Sequence, residues 1–121
     1  MNDHYILDEN NKPVLVDLMT WAEWYEKAEK KIVKHDKIGD LFVSTVFLGL
    51  DYRFGIEGEP VLFETMVFDH GKMKKYKVGG SDHESPTDIY QERYCHYDEA
   101  LAAHEVLVER IKKGEDITNY K

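Results

Sequence analysis

Hydrophobic and polar positions follow two different periods along this chain, and the change from one to the other marks its elements. In "TWAEWYEKAEKKI", residues 20–32, Trp21, Trp24, Tyr25, Ala28 and Ile32 recur at helical spacing, while Glu23, Glu26, Lys27 and Lys30 take the wet side. Thr20 and Glu23 have the spacing of a capping box, which predicts a first helix beginning near Trp21. Before it, "YILDENNKPVLV" holds two short apolar runs around a polar turn, so residues 1–16 read as a hairpin or an extended arm. From residue 32 the chemistry becomes that of strands. A short run leads into a turn at "DKIGD", and ten residues rich in Val, Leu, Phe and Thr follow, from Leu41 to Leu50. After a Gly-rich acidic connection at 51–60, a further strand is expected from Val61 to Phe68, making a hairpin with a long tip.

The pattern then weakens. Residues 71–88 combine lysines, two adjacent glycines and "SDHESPTD", the composition of an exposed insertion. "IYQERYCHY" alternates as a fourth strand. In the last element, Tyr97, Ala100, Leu101, His104, Leu107, Val108 and Ile111 share one helical face and Gly114 stands at the stop, leaving 115–121 as a tail. Strands that follow one another without crossover helices exclude a doubly wound sheet. The expected fold is therefore a single α+β domain over residues 1–121, an antiparallel β-meander of about four strands packed with an N-terminal and a C-terminal helix.

Composition narrows the setting. The 121 residues hold 16 Lys and Arg against 24 Asp and Glu, a formal charge of −8, which disfavours an extended duplex nucleic-acid footprint. The run "GKMKKYKVGG" at 71–80 still offers cations to a small anion. Cys95 stands alone, so an internal disulfide framework is excluded and a reducing cytoplasm fits. No basic-then-apolar leader opens the chain and no apolar run approaches membrane-spanning length. The expected location is the cytoplasm, with no membrane partner.

Candidate chemistry begins with "PVLFETMVFDHG", residues 60–71, where a carboxylate and a hydroxyl interrupt a strand. Glu64 shares its parity with Leu62, Met66 and Phe68, which have the look of a core face. A buried carboxylate needs a partner. His104, among Leu101, Leu107 and Val108, needs one as well, and Glu64 with His104 is the expected pair, either as a structural contact or as an acid/base couple. The register across the hairpin decides the face: residue numbers summing to 110 or 112 put Ser44, Val46, Leu48 and Leu50 beside Glu64, and a sum of 111 sets it opposite Phe47. Ligand-binding candidates are Asp51, Tyr52, Arg53 and Phe54 at the hairpin tip, with Thr65, Arg93 and Tyr94 from the strands. The aromatics would stack a base, and Arg53, Arg93 and Thr65 would donate hydrogen bonds. The histidines and Cys95 lack metal-ligand spacing, no phosphate loop is present, and no cofactor is expected. His83 with Asp82 and Glu84 would hold a divalent ion only adventitiously. Trp21 and Trp24 read as core anchors, with a ring-stacking platform as the alternative.

"VDLMTWAEWYEKA", "VSTVFLGLDYRFG", "PVLFETMVFDHG" and "QERYCHYDEALAAHE" together resemble a family of small uncharacterised proteins of tailed phages and prophage-bearing bacteria. Here His96 and Tyr97 stand where that resemblance implies Ser or Thr followed by Trp. It also implies a short acidic domain in which a strand-rich centre joins a final helix, and a setting, the host cytoplasm, in which accessory proteins bind a host protein or sequester a small signalling molecule. The expected function is a non-enzymatic accessory protein, with a counter-defence role, that binds a small anionic or nucleotide-like ligand in a pocket a homo-oligomer would be able to share. The alternatives are an acidic inhibitor of a host enzyme, or a small hydrolase using Glu64 and His104.

Overall fold

The computed structural model describes residues 3–51 and 58–119. Strands β1 (His4–Leu7) and β2 (Pro13–Val16) form an antiparallel hairpin. Its turn is built by Asp8, whose Oδ1 accepts the backbone N–H groups of Asn10 and Lys12 at 2.8 and 3.0 Å, while Asn11 takes the left-handed conformation at φ 61°. Helix α1 (Leu18–Lys27) starts three residues before the expected point. Asp17, not Thr20, is the N-cap: its carboxylate accepts the Thr20 N–H at 2.8 Å, so Thr20 lies inside the helix and the Thr20–Glu23 capping box does not form. Trp24 meets Phe47 edge-on with ring centroids 5.7 Å apart, and the Tyr25 hydroxyl donates to the Phe47 carbonyl, so α1 docks through Trp24 and Tyr25. No residue of the helix is fully buried, and of the two expected core anchors only Trp24 packs on an apolar cluster.

Strands β3 (Ile32–Ile38), β4 (Leu41–Phe47), β5 (Phe63–Val78) and β6 (Ser81–Tyr94) form one antiparallel sheet in that order, and α2 (Tyr97–Lys112) lies across all four. The molecule is thus an α+β meander carrying an N-terminal and a C-terminal helix. No helix among the described residues is long and apolar enough to cross a membrane. β4 pairs with β5 as Val46 with Glu64 and Thr45 with Thr65, the register that sums to 110. Strand alternation then puts Val43, Thr45 and Phe47 on the helix side together with Phe63, Thr65 and Val67. Glu64, Met66 and Phe68 take the opposite, half-buried side, which reverses the expected core face of β5.

Two apolar clusters fill the space under α2. Val43, Val67, Leu107, Val108, Ile111 and Ile117 make one, and Leu7, Phe47, Leu62, Phe63 and Ala100 make the other. Ile117 is only 4% exposed, so the segment expected as a tail returns to the core. Gly114 at φ 82° permits this return: its N–H reaches the Ile111 carbonyl, the Glu115 N–H reaches that of Arg110, and the helix ends in a Schellman turn. Asn119 then bonds to Ile89 and Gln91 along β6. Residues 71–88, expected as an exposed insertion, continue β5 and β6 as a two-stranded ribbon.

Candidate functional site

Between the two apolar clusters lies a chain of polar side chains that is buried except at its outer end. Thr45 and Thr65 face each other across β4 and β5, with hydroxyl oxygens 2.5 Å apart. The Thr45 hydroxyl is 2.7 Å from His104 Nδ1, and His104 Nε2 is 2.8 Å from Asp36 Oδ2 on β3. Thr45 and His104 are wholly buried and Thr65 is 1% exposed, whereas the Asp36 side chain is 33% exposed at the sheet edge. Hydrogen inventory fixes the sense of the chain. Asp36 accepts, so Nε2 carries a hydrogen; in the neutral ring Nδ1 then accepts from Thr45, whose oxygen accepts from Thr65. At the outer end, Lys34 lies 3.9 Å from Asp36 and pairs with Glu105 of α2. That hydrogen bond holds the Lys34 ammonium above its ordinary pKa. At the inner end, burial first and then Tyr90 push the Tyr94 phenol up, with the Thr65 hydroxyl acting in the opposite sense.

Carboxylate, imidazole and hydroxyl stand here in the order of a nucleophile-activating relay. Thr45 nevertheless has no exposed surface, and the chain satisfies buried polar groups while tying β3, β4, β5 and α2 together. His104 was singled out by sequence as needing a partner, but the partner is Asp36 and not Glu64. Glu64 points to the other side of the sheet, where its Oε2 accepts from Gln91 Nε2 at 2.7 Å and Arg93 Nε at 2.9 Å. The expected Glu64–His104 pair is therefore absent, because the two side chains leave opposite faces of β5 and α2 covers only one.

The expected ligand set divides in the same way. Thr65 and Tyr94 face α2, and Arg93 faces away beside Glu64. Asp51 is 8% exposed and accepts the Val61 N–H at 3.2 Å, closing the base of the 51–60 connection. Tyr52, Arg53 and Phe54 lie outside the described residues. Gly49, at φ 74°, leaves room for Trp21: a Cβ there would sit 2.3 Å from the indole nitrogen. Cys95 is half-buried, its sulfur 3.8 Å from the Glu59 carbonyl.

The ribbon is the region of different character. After the irregular residues 70–72 the pairing resumes as Met73 with Pro86 and runs to Val78 with Ser81, closed by Gly79 and Gly80, both at positive φ. The His70 N–H donates to the Asp40 carbonyl and the Gly71 N–H to Asp69, so the β3–β4 turn braces the ribbon's base. Near its tip Tyr76 and His83 stack, with ring centroids 5.5 Å apart and planes 21° from parallel. An open hollow of about 590 Å³ is lined there by Lys75, Tyr76, Lys77, Asp82, His83 and Glu84. Sequence reasoning noted the lysines but not the stack; the signal was the Gly79–Gly80 turn, which sets Tyr76, three residues before it, opposite His83, three residues after it.

No family model, curated protein or solved structure matches the chain.

Proposed function

We propose that the protein is a non-enzymatic binding protein whose ribbon takes a small anionic or nucleotide-like ligand, as an accessory protein of phage type acting in the cytoplasm would. The observation that carries this reading is the Tyr76–His83 stack on a strand pair bearing Lys72, Lys74, Lys75 and Lys77. Residues 70–88 hold those four lysines against Asp82, Glu84 and Asp88, a balance of +1 that leaves −9 on the rest of the chain. The two ion pairs near the ribbon's tip are long and exposed, with Lys75 4.0 Å from Glu84 and Lys77 3.8 Å from Asp82, so their cations turn to a phosphate at little cost. A base stacked on Tyr76 would supply the uncharged part of the affinity.

The test is an NMR titration of the labelled chain with mono-, di- and oligonucleotides. Shifts confined to residues 72–84, lost in Tyr76→Ala, support the reading; an unmoved spectrum with every member removes it. A second reading, contact with a host protein, draws on Met73 and Val78, which are 46% and 58% exposed on the same ribbon. Capture of a protein by the wild-type chain, lost on replacing those two residues with serine, would favour it.

A further inference from the structure

Three strand edges of the molecule are treated unequally. The β3 edge carries Lys34 and Lys37 and an irregularity between Ile32 and Lys34. The β6 edge is bonded by Asn119. Both are devices that keep a sheet from pairing with another chain. The free edge of β2 has neither a lysine nor a covering segment, only Pro13 at its start, and around it Leu15, Leu18 and Met19 are 60%, 57% and 68% exposed.

The hydrogen-bonding groups on that edge can be counted. The Tyr5 N–H turns away from β2 to the Gly49 carbonyl at 2.8 Å, so Tyr5 and Leu15 are a non-hydrogen-bonded pair, and the Leu15 N–H and C=O point off the outer edge. Alternation puts the groups of Pro13 and Asp17 on the same side, since Asp17 is still extended at φ −78°, ψ 169°. Pro13 has no N–H, and the Asp17 carbonyl is already taken by the Trp21 N–H at 3.0 Å. What remains outward is the Leu15 N–H, the Leu15 C=O, the Pro13 C=O and the Asp17 N–H, none with a partner among the described residues.

We propose that β2 pairs antiparallel with β2 of a second copy of this chain across a twofold axis at Leu15, joining two hairpins into one four-stranded sheet. In that register the two Leu15 residues exchange both of their bonds, and each Asp17 N–H reaches the partner's Pro13 carbonyl. Every outward group is used and none is left over, including the two places where Pro13 and the helix have already removed one. An isologous contact requires this self-complementarity. The exposed Leu15 side chains meet at the axis, with Leu18 and Met19 bordering the seam.

Sedimentation equilibrium of the full chain at about 0.3 M salt, where repulsion between two chains of charge −8 is screened, tests the contact. The wild type should dimerise reversibly. Leu15→Pro deletes an outward N–H together with the leucine side chain at the axis and is compatible with an edge strand, so it should weaken the dimer by about tenfold or more, at least the loss expected of two hydrogen bonds per dimer. Should Leu15→Pro prove unfolded by circular dichroism, Leu15→Lys takes its place. As a positive probe, Leu15→Cys in a Cys95→Ser background should cross-link under mild oxidation, because a hydrogen-bonded antiparallel pair sets its Cα atoms about 5.5 Å apart. Val14→Cys in the same background faces the partner's Val16 and should not. A wild type monomeric up to about 1 mM, a dimer indifferent to both Leu15 variants, or equal cross-linking at 14 and 15 would overturn the proposal.

Discussion

Strands β5 and β6 run through two environments, and the contrast between their halves separates what holds the protein together from what it presents. From Phe63 to Val67, β5 buries every second side chain under α2 and places a threonine among them. From His70 to Val78 every residue is exposed, yet the two strands stay paired to the tip. Residues 70–72 mark the change, where the register shifts and the β3–β4 turn holds the backbone. Polar groups under α2 in the first half are satisfied by one another and closed to solvent, while those in the second half are paired only loosely and remain open.

The largest expected effect lies in the closed half. Replacing His104 by alanine leaves a cavity between the two apolar clusters and strips a partner from both Asp36 and Thr45, and should cost about 3 to 5 kcal/mol in urea denaturation. His104→Leu keeps most of the volume and should cost less, so the difference between the variants measures packing apart from polarity. If His104→Ala unfolds no more easily than a surface variant, the polar chain is not part of what fixes α2.

Within the chain, position sets the next effect. Thr45 serves both Thr65 and His104 and stands at the middle, whereas Thr65 stands at the inner end beside Tyr94. Thr45→Val should therefore cost about 1 to 3 kcal/mol and Thr65→Val about 1 kcal/mol. Equal losses at the two sites would mean that Tyr94 is as strong a partner to Thr65 as His104 is to Thr45.

Sequence reasoning reached the elements of the closed half more easily than their faces. The spacing of Ala100, His104, Leu107, Val108 and Ile111 identified α2 and its buried side, since helical periodicity is a local property. In "VLFETMVFD" both parities are apolar, so nothing local says whether Phe63 and Val67 or Met66 and Phe68 go inward. The helix that covers one face decides, and it lies some thirty residues further along the chain. Asp36 was invisible for the same reason, being 68 positions from His104. One sign was present: Thr45 shares its parity with Val43 and Phe47, and the register that sums to 110 sets Thr65 directly opposite. Asp17 was overlooked because Thr20 and Glu23 have the spacing of a capping box, although Asp17 and Thr20 satisfy the same geometry three residues earlier. The ribbon read as irregular because its lysines, serines and glycines are poor strand formers individually; continuity with the sheet keeps them extended.

The uncovered face of the sheet should answer to pH. Although His35 is exposed overall, partial desolvation of its ring first, and then the neighbouring His104, hold it below its ordinary pKa of 6.5, against the pull of Asp36. The folded protein therefore binds this proton less readily than the unfolded chain. Its contribution is intact above pH 6.5 and is lost as pH falls through the lower, folded value. Urea midpoints compared at about pH 5 and about pH 8 should show a smaller acid loss in His35→Asn than in the wild type. Since His35 is exposed and its ring bonds to the Ser44 hydroxyl at 3.0 Å rather than to a buried group, the change should be smaller than that of any variant in the buried chain. An unchanged pH dependence would place the titrating group elsewhere.

The smallest expected effect on stability belongs to the open half, and there it separates presentation from support most sharply. Lys75 and Lys77 have side chains 84% and 76% exposed, and their partners Glu84 and Asp82 stand 4.0 and 3.8 Å away. Such pairs gain little in water and lose side-chain entropy in forming, so Lys75→Ala with Lys77→Ala should shift stability by no more than about 0.5 kcal/mol. The same double variant removes two of the four cations of the ribbon and should abolish the salt-sensitive part of anion binding. Glu84→Gln with Asp82→Asn should strengthen that binding, because it releases both lysines and removes two repelling charges. A double lysine variant that melts early would show that the ribbon's charges support the fold, and the division between the two halves of β5 and β6 would fail at its weakest point.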